Sequence, residues 1–362
     1  MSSDWYSSLL RADLGELTAY EPAPGAFEVR LDANESPCLL SAEARAGFER
    51  ALVPRSPNRY PDARALDLRR AIAASMDVDP EEVLVGVGSD EVIALMLTAL
   101  DRPRGRAPAP TLVTPSPTFV MYRLSGRARG FKVVEVPLDS AWDLDAAAMR
   151  RAIEMMRPNI VFVATPNNPT GNAMSSDRLC AVIEAAPDSL VIVDEAYVDF
   201  APKSELGLLR RYPNVGILRT LSKIGFASLR IGWLVGPAAL VREIDKVRQP
   251  YNVPEPSQRG ATFVLRELGA ELRRIAGEMV RAREKLTEDL TTQGLVVTPS
   301  HANFLWVEAP GPADELAAAL AARGVLVKSF GGRGGRLTKR LRITVGTADE
   351  NRRLCEEIAA CR

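Results

Sequence analysis

Short apolar runs alternate with longer amphipathic stretches from about residue 80 onward, and this alternation constrains the fold more than any other feature of the chain. Apolar runs bounded by turn residues are typical of buried strands, and amphipathic stretches between them predict helices that cover a parallel sheet. The pattern therefore predicts an α/β fold with a mainly parallel, seven-stranded sheet. The expected strands are Val83–Val87, Leu112–Thr114, Lys132–Val136, Ile160–Ala164, Leu190–Val193, Val215–Leu218 and Ile231–Val235.

The segment QPYNVPEP at residues 249–256 interrupts this pattern with three prolines. Because proline ends regular structure, we expect a domain boundary there, followed by one long charged helix over Ser257–Thr291. The strand-like runs NFLWVE, VLVKSF and LRITVG, with helices at Ala313–Arg323 and at the C-terminus, then predict a small α+β domain. The expected organisation is an N-terminal arm at residues 1–30, a large α/β domain at 31–249 and a small domain at 250–362.

Composition excludes several classes of protein. The chain has 46 basic and 46 acidic residues, so it lacks the overall positive field that favours binding to nucleic acid or to an anionic membrane. Its four cysteines form no CxxC pair and His301 is its single histidine, so we expect no metal site and no disulfide framework. The first residues show neither a signal peptide nor a membrane anchor, and we expect a cytoplasmic protein.

Two motifs combine a strand with a possible ligand-binding turn. In VLVGVGSDE, Gly86 and Gly88 precede a helix that opens with Ser89 and Asp90, an arrangement that suits an anion but also a simple tight connection. In VFVATPNNPTG, the side chain of Asn168 follows a strand at the edge where open α/β sheets bind ligands. An ordinary Asn-Pro turn is the alternative interpretation of this second motif.

Two further motifs carry ionisable side chains at strand ends. SLVIVDEAYVDF places Asp194 at the end of an apolar strand, where a carboxylate needs a cation or hydrogen-bond donors, and Tyr197 follows it. RTLSKIGFASLRIGW places Ser222 and Lys223 after the next strand, with Arg230 seven positions further on. A partly buried lysine can react with an aldehyde, whereas serine and arginine suit a phosphate. The alternatives are a helix cap or a Mg²⁺ ligand for Asp194, a core tyrosine for Tyr197 and a surface pair for Ser222 and Lys223.

Together, NNPTG, DEAY and SK with a downstream arginine resemble the motifs of the fold-type-I pyridoxal-phosphate-dependent aminotransferases, and the resemblance extends over nearly the whole chain. Within that superfamily, LDANESP, NRYPD, GSDE, SPTFVMY and LRITVGT are similar to segments of the histidinol-phosphate aminotransferases. The resemblance implies a fold-type-I large domain with a smaller α+β domain, pyridoxal 5'-phosphate as cofactor, and a homodimer.

The resemblance also implies a role for each matched residue. Lys223 would hold the cofactor covalently, and Asp194 would keep its pyridine nitrogen protonated. Tyr197 and Asn168 would hydrogen-bond the phenolic oxygen of the ring, and Phe119 would stack on the ring where tyrosine is usual. The phosphate of the cofactor would be bound by the amides of Ser89 and Asp90, by the side chains of Ser222 and Arg230, and by Tyr60 of the neighbouring subunit.

For the substrate, the resemblance implies that Arg342 binds the carboxylate of glutamate and, alternately, the phosphate of the histidine precursor. Tyr20 and Asn34 match substrate-pocket positions, and Lys328 stands where arginine is common. The interval from Lys223 to Arg230 is one residue shorter than in some relatives. Solvated surface is the alternative for the basic run Lys328, Arg333, Arg336, Lys339, Arg340 and Arg342.

The expected function is transamination between glutamate and imidazole-acetol phosphate, giving L-histidinol phosphate and 2-oxoglutarate in histidine biosynthesis. An aromatic amino acid aminotransferase is the nearest alternative, and a lyase resembling threonine-phosphate decarboxylase is another. A ligand-sensing regulator without catalytic activity is the least favoured, because residues 1–30 contain no basic helix that could read DNA.

Overall fold

The computed structural model describes residues 9–11, 14–15, 24–37 and 39–361. Tyr20, predicted to lie in the substrate pocket, falls outside the described residues. The strands are β1 (Val29–Leu31), β2 (Val83–Val87), β3 (Thr111–Ser116), β4 (Lys132–Pro137), β5 (Ile160–Ala164), β6 (Leu190–Asp194), β7 (Val215–Thr220), β8 (Ile231–Val235), β9 (Val296–Thr298), β10 (Phe304–Glu308), β11 (Val325–Ser329) and β12 (Arg340–Thr344). The helices are α1 (Ala42–Leu52), α2 (Leu66–Met76), α3 (Gly88–Ala99), α4 (Val120–Ala128), α5 (Ala146–Met156), α6 (Ser176–Glu184), α7 (Leu208–Arg211), α8 (Ala238–Asp245), α9 (Glu255–Glu267), α10 (Gly269–Thr292), α11 (Ala313–Ala322) and α12 (Ala348–Ala360).

The larger sheet has seven strands in the order β2-β8-β7-β6-β5-β3-β4, and β8 runs antiparallel to both of its neighbours while the other pairs are parallel. All seven predicted strands lie in this sheet, so the predicted fold class is confirmed. The residues of β5 and β6 are buried throughout, because apolar side chains pack on both faces of the sheet. Val161 and Val163 belong to the core on one face, and Ile160 and Phe162 to the core on the other.

The second sheet has the order β1-β11-β12-β10-β9. Its strands after β1 come from the C-terminal part of the chain and pair antiparallel, whereas β1 joins β11 in parallel. Residues 29–31 therefore lie beside strands that follow them by almost three hundred positions. The division of the chain into an arm and two domains remains a prediction.

The prediction of a single helix over Ser257–Thr291 is wrong, because α9 ends at Glu267 and α10 begins at Gly269. Leu268 has φ −101° and ψ 16°, outside the helical range, and its side chain is buried. Glycine is a poor helix former, so the break costs little at this point. The two helices also have different partners, because α9 packs against α1 and α2 whereas α10 packs against β9 and α12. Within the described ranges, no helix combines the length and apolar character needed to cross a membrane.

Candidate active site

The carboxyl ends of β2, β3, β5, β6 and β7 meet at one edge of the larger sheet, together with the amino end of the antiparallel β8. Open α/β sheets bind ligands at this edge. A cavity of about 440 Å³ opens there, between the large sheet and β11–β12. The predicted site residues that line it are Asn34, Ser89, Asp90, Phe119, Asn168, Asp194, Tyr197, Ser222, Lys223, Arg230, Lys328 and Arg342.

Tyr60 is the described candidate that the structure leaves outside the cavity. Its side chain is 81% exposed, and its ring stacks on that of Tyr251 with 4.6 Å between centroids. Two stacked aromatic rings on the outer surface suit contact with another molecule, because exposed aromatic side chains are enriched in interfaces.

A wider, more open cleft of about 950 Å³ lies between α10 and the segment after β6, and none of the predicted site residues that the structure describes lines it. His301 lines it, and the Nδ1 atom of His301 accepts a hydrogen bond from the Ala173 amide. Burial, together with the charge of Arg283, lowers the pKa of His301, which favours the neutral imidazole. We therefore assign His301 a structural role. No group of side chains able to hold a metal ion occurs among the residues that the structure describes.

Asp194 ends β6 and lies in register with Ala164 of β5 and Leu218 of β7, so its carboxylate is enclosed by neighbouring strands. Its residue is 4% exposed. The Oδ2 atom accepts a hydrogen bond from the Tyr122 hydroxyl at 2.5 Å, and Oδ1 accepts one from the Ala196 amide at 3.0 Å. Burial raises the pKa of Asp194 to about 6, although both hydrogen bonds act to lower it. A carboxylate in this position is stabilised by a cation beside it.

Tyr122 was not assigned a role from the sequence, although it ends the quoted SPTFVMY segment. It is fully buried, and its ring stacks on Phe162 with centroids 4.5 Å apart and planes 7° apart. Burial, followed by the charge of Asp194, raises the pKa of Tyr122 well above its usual range, so the hydroxyl donates to the carboxylate. The spacing of three residues from Phe119, one turn along a helix, was the available signal, and the two rings meet edge to face.

Lys223 follows β7 in a short turn, and its side chain is half-buried at the floor of the cavity. Its Nζ atom lies 5.9 Å from the centroid of the Tyr197 ring. The main chain at Lys223 is held by the Ser36 hydroxyl, which donates to its carbonyl at 2.5 Å. Ser222 beside it is buried and accepts a hydrogen bond from Thr220 Oγ1 at 2.9 Å. The lysine is thus placed beside Tyr197 and the end of β6.

Close backbone approach shapes the other end of the cavity. A Cβ atom on Gly232 would come within 2.2 Å of the Ser89 nitrogen, and one on Gly88 within 2.6 Å of an Arg230 guanidinium nitrogen. Arg230 itself has φ 52°, a left-handed conformation that costs about 1 kcal/mol or more in a residue other than glycine. The two glycines therefore make room for amide, hydroxyl and guanidinium donors to converge, as a phosphate requires.

The two asparagines of the NNPTG motif have different surroundings. Asn167 is fully buried outside the cavity, where its amide donates to Pro117 and Thr170 and holds the turn. Asn168 lines the cavity, and its Oδ1 atom accepts a hydrogen bond from Arg342 Nη1 at 2.7 Å. Asn168 therefore presents its amide nitrogen towards a ligand.

Asn34 connects the beginning of the chain to the site. It is 1% exposed and has φ 57°, a left-handed conformation that asparagine adopts more readily than most residues. The side-chain Nδ2 atom of Asn34 donates to the Tyr197 hydroxyl at 2.9 Å. Its main-chain amide donates to the hydroxyl of Thr344 in β12. Asn34 therefore orients Tyr197 from the side of the smaller sheet.

Lys328 and Arg342 are direct register partners on β11 and β12, so their side chains extend from the same face of the smaller sheet. Both line the cavity. Like charges directly opposite each other destabilise a strand pair, and an anion between them relieves the repulsion. The pair therefore marks this side of the cavity as the place for a negatively charged ligand.

Comparison with known proteins agrees with the geometry of the site. Residues 28–358 match the family model for aminotransferase class I and II. The chain is 41% identical to histidinol-phosphate aminotransferase 2 of Nitrosococcus oceani, over 100% of this chain and 99% of the relative. It is 40% identical to histidinol-phosphate aminotransferase of Methylibium petroleiphilum, over 94% and 91% of the two chains.

A solved structure shares the fold. The histidinol-phosphate aminotransferase of Sinorhizobium meliloti, in complex with pyridoxal-5'-phosphate, superposes with a TM-score of 0.83, at 23% identity, over 93% of this chain and 92% of the other. With a family match over most of its length and full-length relatives above 30% identity, the chain belongs to the class I and II aminotransferases.

Proposed function

We propose that this chain transfers the amino group of glutamate to imidazole-acetol phosphate, forming L-histidinol phosphate and 2-oxoglutarate in histidine biosynthesis. The observation that carries the substrate assignment is the cross-strand pair Lys328 and Arg342 inside the cavity, which favours a phosphorylated substrate. The names and full-length similarity of the relatives support the same activity. We place the reaction in the cytoplasm, which the unpaired thiols of Cys180, Cys355 and Cys361 suit.

Enzymes of this family use pyridoxal phosphate, and the side chains around the cavity fit that group. A pyridinium nitrogen beside Asp194 would provide the cation that its buried carboxylate lacks. The converging donors near Gly88 and Gly232 form a cradle of the kind a phosphate occupies. When bound, the cofactor supplies an electron sink for the charge left on the substrate when its α-proton departs.

The side chains around the cavity would bind and orient the cofactor and the substrates and would transfer the proton. Lys223 Nζ would hold the cofactor and then carry the proton from the α-carbon of the substrate, since a positioned amine is an effective general base when it is neutral. The amide of Asn168 and the hydroxyl of Tyr197 would donate to the phenolic oxygen, and Phe119 would stack on the ring. Arg342 would bind the carboxylate of glutamate and the phosphate of the second substrate in turn.

The substrate class can be tested with the purified holoenzyme by following the change in cofactor absorbance on mixing with candidate amino donors. We expect the specificity constant for histidinol phosphate to exceed that for phenylalanine or tyrosine by at least about tenfold, because charge-assisted hydrogen bonds contribute about 1.5–3 kcal/mol. Threonine phosphate with carbon dioxide detection serves as the comparison for a lyase. A preference for phenylalanine, or release of carbon dioxide, would contradict the proposal while leaving the family assignment intact.

We further propose that Tyr122 positions Asp194. Replacement of Tyr122 by phenylalanine removes the hydrogen bond that lowers the pKa of Asp194, so this pKa should rise above about 6. A protonated Asp194 attracts a pyridinium less than an ionised one does. As the pH is lowered, cofactor binding should therefore begin to weaken at a higher pH in the variant than in the wild type. We also expect a loss of about tenfold in the rate of transamination.

The measurement is a titration of cofactor-free protein with pyridoxal phosphate between pH 5 and 8. Tyr212→Phe is the matched control, because Tyr212 also donates to a carboxylate, that of Glu184, but lies on the surface away from the cavity. Identical pH dependence in Tyr122→Phe and wild type would show that Tyr122 only fills space.

We propose that the enzyme is a homodimer in which Tyr60 contacts the cofactor phosphate in the site of the other subunit. Its exposure and its position outside the cavity of its own subunit support this assignment. A protein that carries Lys223→Ala should be inactive because each site lacks its lysine. A protein that carries Tyr60→Ala should bind the cofactor weakly in both sites.

Mixing and reassembling the two variants should restore activity, because each hybrid dimer contains one site with an intact lysine and an intact partner tyrosine. Random exchange should give about a quarter of the wild-type sites. Analytical ultracentrifugation establishes the dimer, and a mixture of wild type with the double variant measures exchange. If the mixture is no more active than its components, although exchange occurs, Tyr60 does not act across an interface.

A further inference from the structure

We propose that Arg333 binds the phosphate of the substrate together with Lys328, and so contributes to specificity for a phosphorylated amino donor. This inference rests on the proposed function and gives Arg333, one residue of the basic run, a role of its own. Arg333 lies five positions after Lys328, in the loop between β11 and β12, and both side chains line the cavity.

An aromatic ring supports the Arg333 side chain. The guanidinium carbon lies 5.1 Å from the centroid of the Phe330 ring, and Phe330 is itself buried against Trp306. A cation–π contact attracts the guanidinium to the ring through its charge and does not require its N–H groups as hydrogen-bond donors. Phe330 therefore orients Arg333 without using its hydrogen-bonding capacity.

The loop that carries Arg333 is held on both sides. Before it, the amide of Gly331 donates to Ser329 Oγ, and that hydroxyl donates to Asp314 at 2.5 Å. A Cβ atom on Gly331 would come within 2.9 Å of the Asp314 carboxyl group, so the loop packs closely against this side chain. After it, the guanidinium carbon of Arg336 lies 4.1 Å from the centroid of the Trp142 ring, and the same guanidinium donates to the main-chain carbonyls of residues 138 and 139. Arg333 thus extends from a fixed segment.

Arg333 has no direct ion-pair partner within the described part of the chain. Among residues 9–11, 14–15, 24–37 and 39–361, neither its guanidinium nor the Lys328 ammonium forms a hydrogen bond or an ion pair. Arg123 is close enough to repel it, and the nearby Glu135 faces Arg123 at 3.9 Å. Burial, followed by the charge of Arg123, lowers the pKa of Arg333. Unpaired positive charges that line one cavity attract an anionic ligand.

The two cations have complementary chemistry. The ammonium of Lys328 is a point charge, whereas the guanidinium of Arg333 presents parallel N–H groups that match two oxygens of a phosphate. With Arg342 opposite Lys328, three positive side chains border this side of the cavity. A dianionic phosphate is the group that such a set binds better than a carboxylate or an uncharged ring.

The experiment compares Arg333→Met with wild type, using histidinol phosphate and unphosphorylated histidinol as alternative donors for the holoenzyme. We expect the Michaelis constant for histidinol phosphate to rise about 10- to 100-fold with little change in kcat, and the constants for histidinol to change less than about threefold. Inhibition by inorganic phosphate should weaken in parallel. Arg333→Lys should recover part of the affinity because it keeps the charge but loses the fork.

Lys339→Met is the matched control. It removes one positive charge from the same loop, but the Lys339 side chain donates to the Pro310 carbonyl and does not line the cavity. If wild type does not react with histidinol phosphate, the proposed function fails. If wild type reacts and Arg333→Met binds histidinol phosphate as tightly, or loses histidinol equally, the role of Arg333 is overturned while the proposed function stands.

Discussion

Lys223→Ala is expected to lower the rate of transamination by at least about three orders of magnitude, the largest effect of any single replacement in the site. The proposed role makes this side chain both the point of covalent attachment and the proton carrier, and among the residues that the structure describes, Lys328 on the opposite sheet is the one other lysine that lines the cavity. The rate is measured in a single turnover with histidinol phosphate. Borohydride reduction of wild type, followed by peptide mass spectrometry, should place the cofactor on Lys223.

Lys246→Ala provides the control for loss of a lysine. Lys246 lies on the surface at the end of α8, where it pairs with Glu243. The Lys246→Ala variant should retain wild-type turnover. Attachment of the cofactor to another lysine, or turnover within tenfold of wild type in Lys223→Ala, would contradict the assignment.

Asp194→Asn is expected to bind the cofactor less tightly than wild type but to retain it through Lys223 when saturated, and to transaminate about 10²- to 10⁴-fold more slowly. Removal of one partner from a buried ion pair costs about 3–5 kcal/mol, and the neutral amide no longer keeps a pyridine nitrogen protonated. Single-turnover rates with glutamate and with histidinol phosphate measure the effect. Asp199→Asn is the control, because Asp199 follows the same strand but does not line the cavity.

Asp194→Asn, which lowers the rate of transamination, should not lower the stability of the cofactor-free protein at high pH. Burial raises the pKa of Asp194 to about 6, so its contribution to stability is present below the unfolded pKa near 4 and is lost as pH rises through about 6. At pH 8 the wild type must bury a charge that the amide lacks. Cofactor-free Asp194→Asn should therefore unfold at the same or a higher temperature than wild type at pH 8, whereas a merely structural role predicts a lower one.

The local pattern of the chain was sufficient to predict most of the large sheet. Val83–Val87, Ile160–Ala164 and Ile231–Val235 have the predicted bounds, because strands that are buried on both faces of a sheet require continuous apolar runs that turn residues delimit. The long helix after residue 256 was predicted wrongly, since its interruption at Leu268 depends on the elements that α9 and α10 contact. The three-residue strand β1 was also missed, because it forms only by pairing with β11, which lies far along the chain.

The residues that follow strands were also predictable. Asp194, Lys223 and Asn168 come directly after apolar runs, and the rule that parallel strands bring their carboxyl ends to one edge places such residues together. Their order along the chain carried the family resemblance. The order and spacing of these motifs therefore indicate the chemistry that they serve.

The sequence by itself determined the fold class, the edge of the sheet that carries the site and the family, because each depends on local apolar runs and ordered motifs. Only the tertiary structure decided that Tyr122 donates to Asp194, that Lys328 lies opposite Arg342, and that Arg333 stacks on Phe330 beside them. These contacts depend on strand register and on side-chain packing between distant segments. A one-residue change of register would turn Lys328 to the other face of its sheet without altering the local pattern around it.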